Sequence, residues 1–119
     1  KNNIGITLIP GPTAFINALI LSGKPAHQFI FAGFLPRGPL ARKNRLREIS
    51  GLNYTAIFYE SCHRILKTLQ DIQDTLGDRE IACARELTKK FEEIKRGSAK
   101  DILEHFKRQK PRGEFVVVI

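Results

Sequence analysis

The chain has 119 residues, 42% hydrophobic and 27% charged, which suits one folded domain with a single core and excludes a disordered, low-complexity chain. Its formal net charge of +8 favours a polyanionic partner, nucleic acid first among them. No run of about 18 apolar residues is present, so no membrane-spanning helix is expected.

Cys62 and Cys83 are isolated, and His27, His63 and His105 lack metal-ligand spacing. Free thiols in a reducing cytoplasm and no metal site follow. The chain opens on Lys1-Asn2-Asn3 directly before an apolar run, contains no Met, and closes on the strand-like Phe115–Ile119. A fragment of a longer protein is therefore expected.

In chain order, Ile4–Ile9 reads as a short strand. Pro10-Gly11-Pro12-Thr13-Ala14 leads into a helix ending near Ser22, with Pro12 suited to a first helical position and Gly23 to its stop. That helix is apolar nearly all round, so a missing domain or a second subunit is expected to cover it. Phe29–Phe34 reads as a buried strand running into Gly33-Phe34-Leu35-Pro36-Arg37. A helix is predicted over Pro39–Ser50, with Leu46 and Ile49 facing inward. Arg37, Arg42, Lys43, Arg45 and Arg47 occur with no acid before Glu48. Unbalanced positive charge repels itself, which makes the segment a candidate anion-binding face.

Tyr54–Tyr59 reads as the central strand. Ile65, Leu69, Ile72 and Leu76 fall on one helical stripe that stops at Gly77. Arg79–Ala84 is another buried strand, ending in Arg85-Glu86-Leu87-Thr88-Lys89. Phe91–Arg96 is ambiguous: its Glu and Lys favour helix, while its shortness and the Gly97 break allow strand. Ser98 caps a further helix, with Asp101 in the position of a capping box and Ile102, Leu103 and Phe106 on its apolar face. Glu114–Ile119 is the last strand. Alternating strands and helices predict an α/β fold, a mixed sheet of about five strands with helices packed on it.

Phe58-Tyr59-Glu60-Ser61-Cys62-His63-Arg64 puts a carboxylate, a hydroxyl, a thiol, an imidazole and a guanidinium between a strand and a helix. Ligands of α/β proteins sit at such strand ends, where helix N–H groups are free. The plainer reading makes Ser61 an N-cap and Glu60 a complement to the helix dipole. If the strands ending at Phe34, Tyr59 and Ala84 run parallel, their polar turns share one rim.

Four segments in this order, Pro10–Ala14, Gly33–Arg37, Phe58–Arg64 and Ala84–Lys89, resemble the C-terminal half of the bacterial small-subunit ribosomal RNA methyltransferases of the tetrapyrrole methylase superfamily. Arg96-Gly97-Ser98 and Arg112-Gly113-Glu114 match as well, so the resemblance spans essentially the whole chain. It implies a two-domain α/β enzyme, usually a homodimer, with S-adenosylmethionine in the cleft between the domains. Residues 1–119 would form the C-terminal domain, and the Gly-rich N-terminal cofactor domain would lie outside this chain. The implied reaction is methyl transfer to the ribose 2′-oxygen of a cytidine in the decoding region of small-subunit ribosomal RNA, free or assembled. By the same resemblance Thr13, Ala14, Glu60, Leu87 and Thr88 lie where relatives contact the cofactor. Cys62 departs from the usual Pro, which loosens the turn without removing a reactive group.

Methyl transfer from a sulfonium needs alignment and a more nucleophilic oxygen. Glu60 or Glu86 is the expected catalytic carboxylate, orienting the hydroxyl. Arg37, Arg42, Lys43, His63, Arg64, Arg85 and Lys89 are the expected substrate contacts, the arginines suited to phosphate by their forked donors. A simpler alternative pairs Arg85 with Glu86 inside the domain. Two rival functions remain: methylation of a small tetrapyrrole, against which the wide basic segment argues, and a non-catalytic RNA-binding module.

Overall fold

The computed structural model describes residues 18, 22–25, 28–52, 54–86 and 91–119, and of residues 86, 91 and 92 the main chain alone. The expected strand Ile4–Ile9 and most of the helix starting near Thr13 lie outside these residues. Ala18 and Ser22 are helical, and Gly23 follows at φ +77°, the left-handed conformation that stops a helix cheaply only at glycine.

The described elements are β1 (Phe29–Phe34), α1 (Pro39–Ser50), β2 (Thr55–Ser61), α2 (Ile65–Leu76), β3 (Glu80–Glu86), β4 (Phe91–Ser98), α3 (Ala99–Arg108) and β5 (Glu114–Val118). They form a five-stranded mixed sheet in the order β1-β2-β5-β3-β4, with the three helices packed on it. This is the α/β architecture expected. The ambiguous segment 91–96 is strand. Its residues pair along β3 from Glu80↔Ser98 to Glu86↔Phe91, and that ladder outweighs the helix propensity of its Glu and Lys.

Pairing fixes the direction of every strand. β1 and β2 are parallel; β5 is antiparallel to both β2 and β3. Hence β1, β2 and β3 point the same way, and their C-terminal ends share one rim.

Period-2 alternation divides the core. On one face Ala56 and Phe58 of β2, Ile81 and Cys83 of β3, and Phe115 and Val117 of β5 meet Leu46 and Ile49 of α1, Ile65, Leu69 and Ile72 of α2, and Ile102, Leu103 and Phe106 of α3. Phe106 stacks edge-on against Phe115, ring centroids 5.2 Å apart. Burying each of these large side chains contributes about 1.5–3 kcal/mol before entropy is counted. On the opposite face Ile57, Ala82, Ala84, Val116 and Val118 pack with Ala18. The N-terminal helical segment therefore touches the sheet from the side that α1–α3 leave open.

Strand ends run later than the hydropathy pattern predicts. β2 continues through Glu60 and Ser61, and β3 through Arg85 and Glu86, because β5 offers ladder partners as far as Ser61↔Glu114 and Glu86↔Glu114. The hydrophobic run stops earlier only because the strand tips are polar. Gly33, at φ +66°, accompanies the register break between Phe31 and Phe34 that lets β1 end alongside Tyr59.

Candidate functional site

The shared rim carries Phe34 of β1, Ser61 of β2, Glu86 of β3 and, between the last two, Glu114 at the start of β5. β2 pairs with β1 only as far as Tyr59 but with β5 as far as Ser61. On its β1 side, the main chain of Glu60 and Ser61 therefore has no strand partner among the described residues. The Ser61 main chain is instead engaged locally, its N–H by the Glu60 side chain and its carbonyl by the Arg64 N–H.

The Glu60 side chain turns the other way, toward α2. It is 3% exposed. Oε2 accepts the Thr68 hydroxyl at 2.6 Å, Oε1 accepts the Ser61 N–H at 2.8 Å, and Arg64 Nε lies 3.4 Å from Oε1. The carboxylate thus ties the tip of β2 to the first turns of α2. Ser61 is not the N-cap; that position is Arg64, with no side-chain cap, and Ser61 instead accepts the Arg64 N–H through its carbonyl at 3.1 Å. The turn is braced by Glu60 rather than capped by a hydroxyl.

Arg85 faces the helix side as well. Its partner is Glu93, directly opposite on β4, with Arg85 Nε 3.7 Å from Glu93 Oε1. Glu93 also meets His105 Nε2 at 2.8 Å and Lys95 at 3.8 Å. Arg85 thus belongs to a cross-strand cluster centred on Glu93, which a reading along the chain could not find; the alternative pairing with Glu86 involves a side chain outside the described residues. Nearby Cys83 is wholly buried. Burial, and secondarily the charge of Glu93, push its thiol well above the ordinary range, so it stays protonated and inert.

The basic segment of α1 behaves differently from its sequence pattern. Arg42 is 4% exposed; its Nε donates to Asp71 Oδ2 of α2 at 2.5 Å and its Nη1 to the Arg37 carbonyl at 3.0 Å. Lys43 lies 3.6 Å from Asp74, and Arg45 pairs with Glu48. Asp71 and Asp74 of α2 answer Arg42 and Lys43, and Glu48 of α1 itself answers Arg45. Arg42 is therefore an internal partner of α2 in this domain, and Lys43 a surface one. Arg37 is exposed and makes no ion pair among the described residues; its main chain is held at the rim by Arg42.

His63 is exposed. With Cys62 and Leu66 it lines a depression of about 510 Å³ whose other wall is Lys110, Pro111, Arg112 and Gly113. Sequence reasoning did not assign Lys110 and Arg112 to the site. The one signal available was Arg112-Gly113-Glu114, which precedes the strand that pairs with β2. Thr13, Ala14, Leu87, Thr88 and Lys89 lie outside the described residues, and of Glu86 only the main-chain position is described. Among the described residues no group of three or more His, Cys, Asp or Glu could hold a metal, and no helix is long and apolar enough to cross a membrane.

Proteins of known annotation resemble this chain closely. A protein of Thermotoga maritima is 43% identical over 122 residues, covering 100% of this chain and 53% of the relative. One of Vibrio cholerae is 52% identical over 92 residues, 76% of this chain and 32% of the relative. One of Bacillus subtilis is 42% identical over 111 residues, 93% of this chain and 38% of the relative. Each is named ribosomal RNA small subunit methyltransferase I. The chain spans about half the length of the curated relatives it matches, or less. The family model described as Tetrapyrrole (Corrin/Porphyrin) Methylases matches residues 1–103, and the chain belongs to that family.

Proposed function

We propose that this chain is the C-terminal domain of an S-adenosylmethionine-dependent methyltransferase that acts on small-subunit ribosomal RNA, at the ribose 2′-hydroxyl of a cytidine. The observation that carries the reading is the rim itself. Three parallel strand ends, all of them inside the segments that resemble the methyltransferases, converge on one edge of the sheet. The relatives' names support RNA as the substrate class.

The residues fit a bound nucleoside. The Glu60 side chain turns inward, and its Thr68, Ser61 and Arg64 contacts hold the tip of β2 in place. Thr13, Ala14, Leu87 and Thr88 would complete the cofactor contacts, together with the N-terminal domain. S-adenosylmethionine supplies an electrophilic methyl group. The protein's task is then to hold the 2′-oxygen in line and accept its proton. Glu86, at the end of β3 on the rim, is assigned to the hydroxyl. Glu60, committed to Thr68, Ser61 and Arg64, orders the turn. Arg37 and His63 meet the RNA, and Arg85 shapes the wall through Glu93. A homodimer in the cytoplasm accords with this reading.

Methyl-labelled S-adenosylmethionine, given to the whole protein with small-subunit RNA or assembled subunits, tests the assignment. Nuclease digestion should return the label as 2′-O-methylcytidine. Label on a base, or on a tetrapyrrole in place of RNA, would overturn it.

A further inference from the structure

Three of the five cations that sequence assigns to the α1 segment are paired with carboxylates, Arg42 inside the fold and Lys43 and Arg45 at its surface. The end of α3 and the connection to β5 behave otherwise. Residues 107–112 read Lys-Arg-Gln-Lys-Pro-Arg and contain no acid. Lys107, Arg108, Lys110 and Arg112 are all exposed, and none forms an ion pair among the described residues.

Lys107 and Arg108 lie in the last turn of α3, where the helix dipole accounts for them. Lys110 and Arg112 lie beyond the helix and have no such partner. They do have a shaped neighbourhood. Both edge the depression of about 510 Å³ that Cys62, His63 and Leu66 line from the β2–α2 turn. Its floor is partly apolar, through Leu66 and Pro111, and its edge is cationic. That combination suits a nucleotide, with sugar or base against the floor and phosphate against the edge. The depression adjoins the rim, because Gly113 leads directly into Glu114, the register partner of Ser61.

We propose that the α3–β5 connection is this domain's RNA-backbone contact, with Lys110 and Arg112 holding phosphates of a nucleotide that flanks the target and is seated in the depression. This rests on the proposed RNA substrate. It moves the RNA footprint from α1 to the side of the rim formed by α2 and α3.

Lys110→Ala with Arg112→Ala in the whole protein tests it, measured by RNA affinity across a salt series. Arg96→Ala with Lys100→Ala removes equal charge at the other end of α3 and serves as comparison. The expected result is an affinity for small-subunit RNA lowered tenfold or more, and a log–log salt slope shallower by roughly 1 to 2, about 0.7 per phosphate contact. S-adenosylmethionine affinity and thermal midpoint stay unchanged, and the comparison variant stays within twofold. Parental RNA binding by the Lys110/Arg112 variant, with methylation intact, overturns the inference and leaves the proposed function standing. Unchanged RNA binding with lost binding to poly-glutamate would reassign the patch to an acidic protein. If the parent methylates no RNA, the proposed function falls and this inference falls with it.

Discussion

Glu60 shows how a residue in the right segment takes a different part from the one its chemistry suggests. Its position just before a helix invites a base. Its carboxylate is instead buried and satisfied by Thr68, Ser61 and Arg64. Glu60→Gln keeps the shape but loses the charge-assisted contact with Arg64 and strands one hydrogen bond. Urea unfolding should register a loss of about 1–3 kcal/mol. If Glu60 acted only as a base, stability would be untouched while single-turnover methylation collapsed. The two cysteines offer a second check at this scale. Cys62 is half-buried at the edge of the depression, and Cys83 is fully buried with its thiol held protonated. Brief iodoacetamide treatment of the native protein at neutral pH, read by peptide mass, should modify Cys62 and spare Cys83. The linkage sign for Cys83 is definite. Its folded value lies above the ordinary 9.0, so above that pH the unfolded chain releases the proton while the folded chain keeps it. Its contribution to stability therefore falls as pH rises through that point.

Among the elements, α1 and β4 mark what a linear reading can and cannot reach. Helix α1 is legible because Pro39 suits a first turn and Leu46 and Ile49 recur on one face. The purpose of its charges is not legible, because the balancing Asp71 and Asp74 sit on α2. β4 is likewise hidden: its strand state comes from the β3 ladder rather than from its own residues. The Arg42–Asp71 pair, buried in the fold, tests a structural role for α1 against a substrate-binding one. Asp71→Ala leaves the Arg42 guanidinium buried without its counter-charge and should cost about 3–5 kcal/mol. RNA affinity measured well below the unfolding midpoint should change less than twofold, where a substrate-binding Arg42 would change it tenfold.

For the molecule as a whole, the alternation of apolar runs and turn residues was enough for the α/β class and for most element boundaries. It also brought the tips of β1, β2 and β3 to one rim, conditional on strand direction. That direction could not be read from the strands themselves. It is fixed by β5, the last strand, which inserts antiparallel between β2 and β3 and so makes them co-directional. Lys110 and Arg112 escaped notice for the same reason: they join the site only because β5 starts at the rim. The central claim is that cofactor and RNA meet at that rim. Hydrogen–deuterium exchange on the whole protein, with and without S-adenosylmethionine, addresses it directly. Protection should appear in peptides covering 58–64 and 84–91. The opposite rim around Lys24, Tyr54 and Arg79 should exchange as before. Protection confined to that opposite rim would contradict the account.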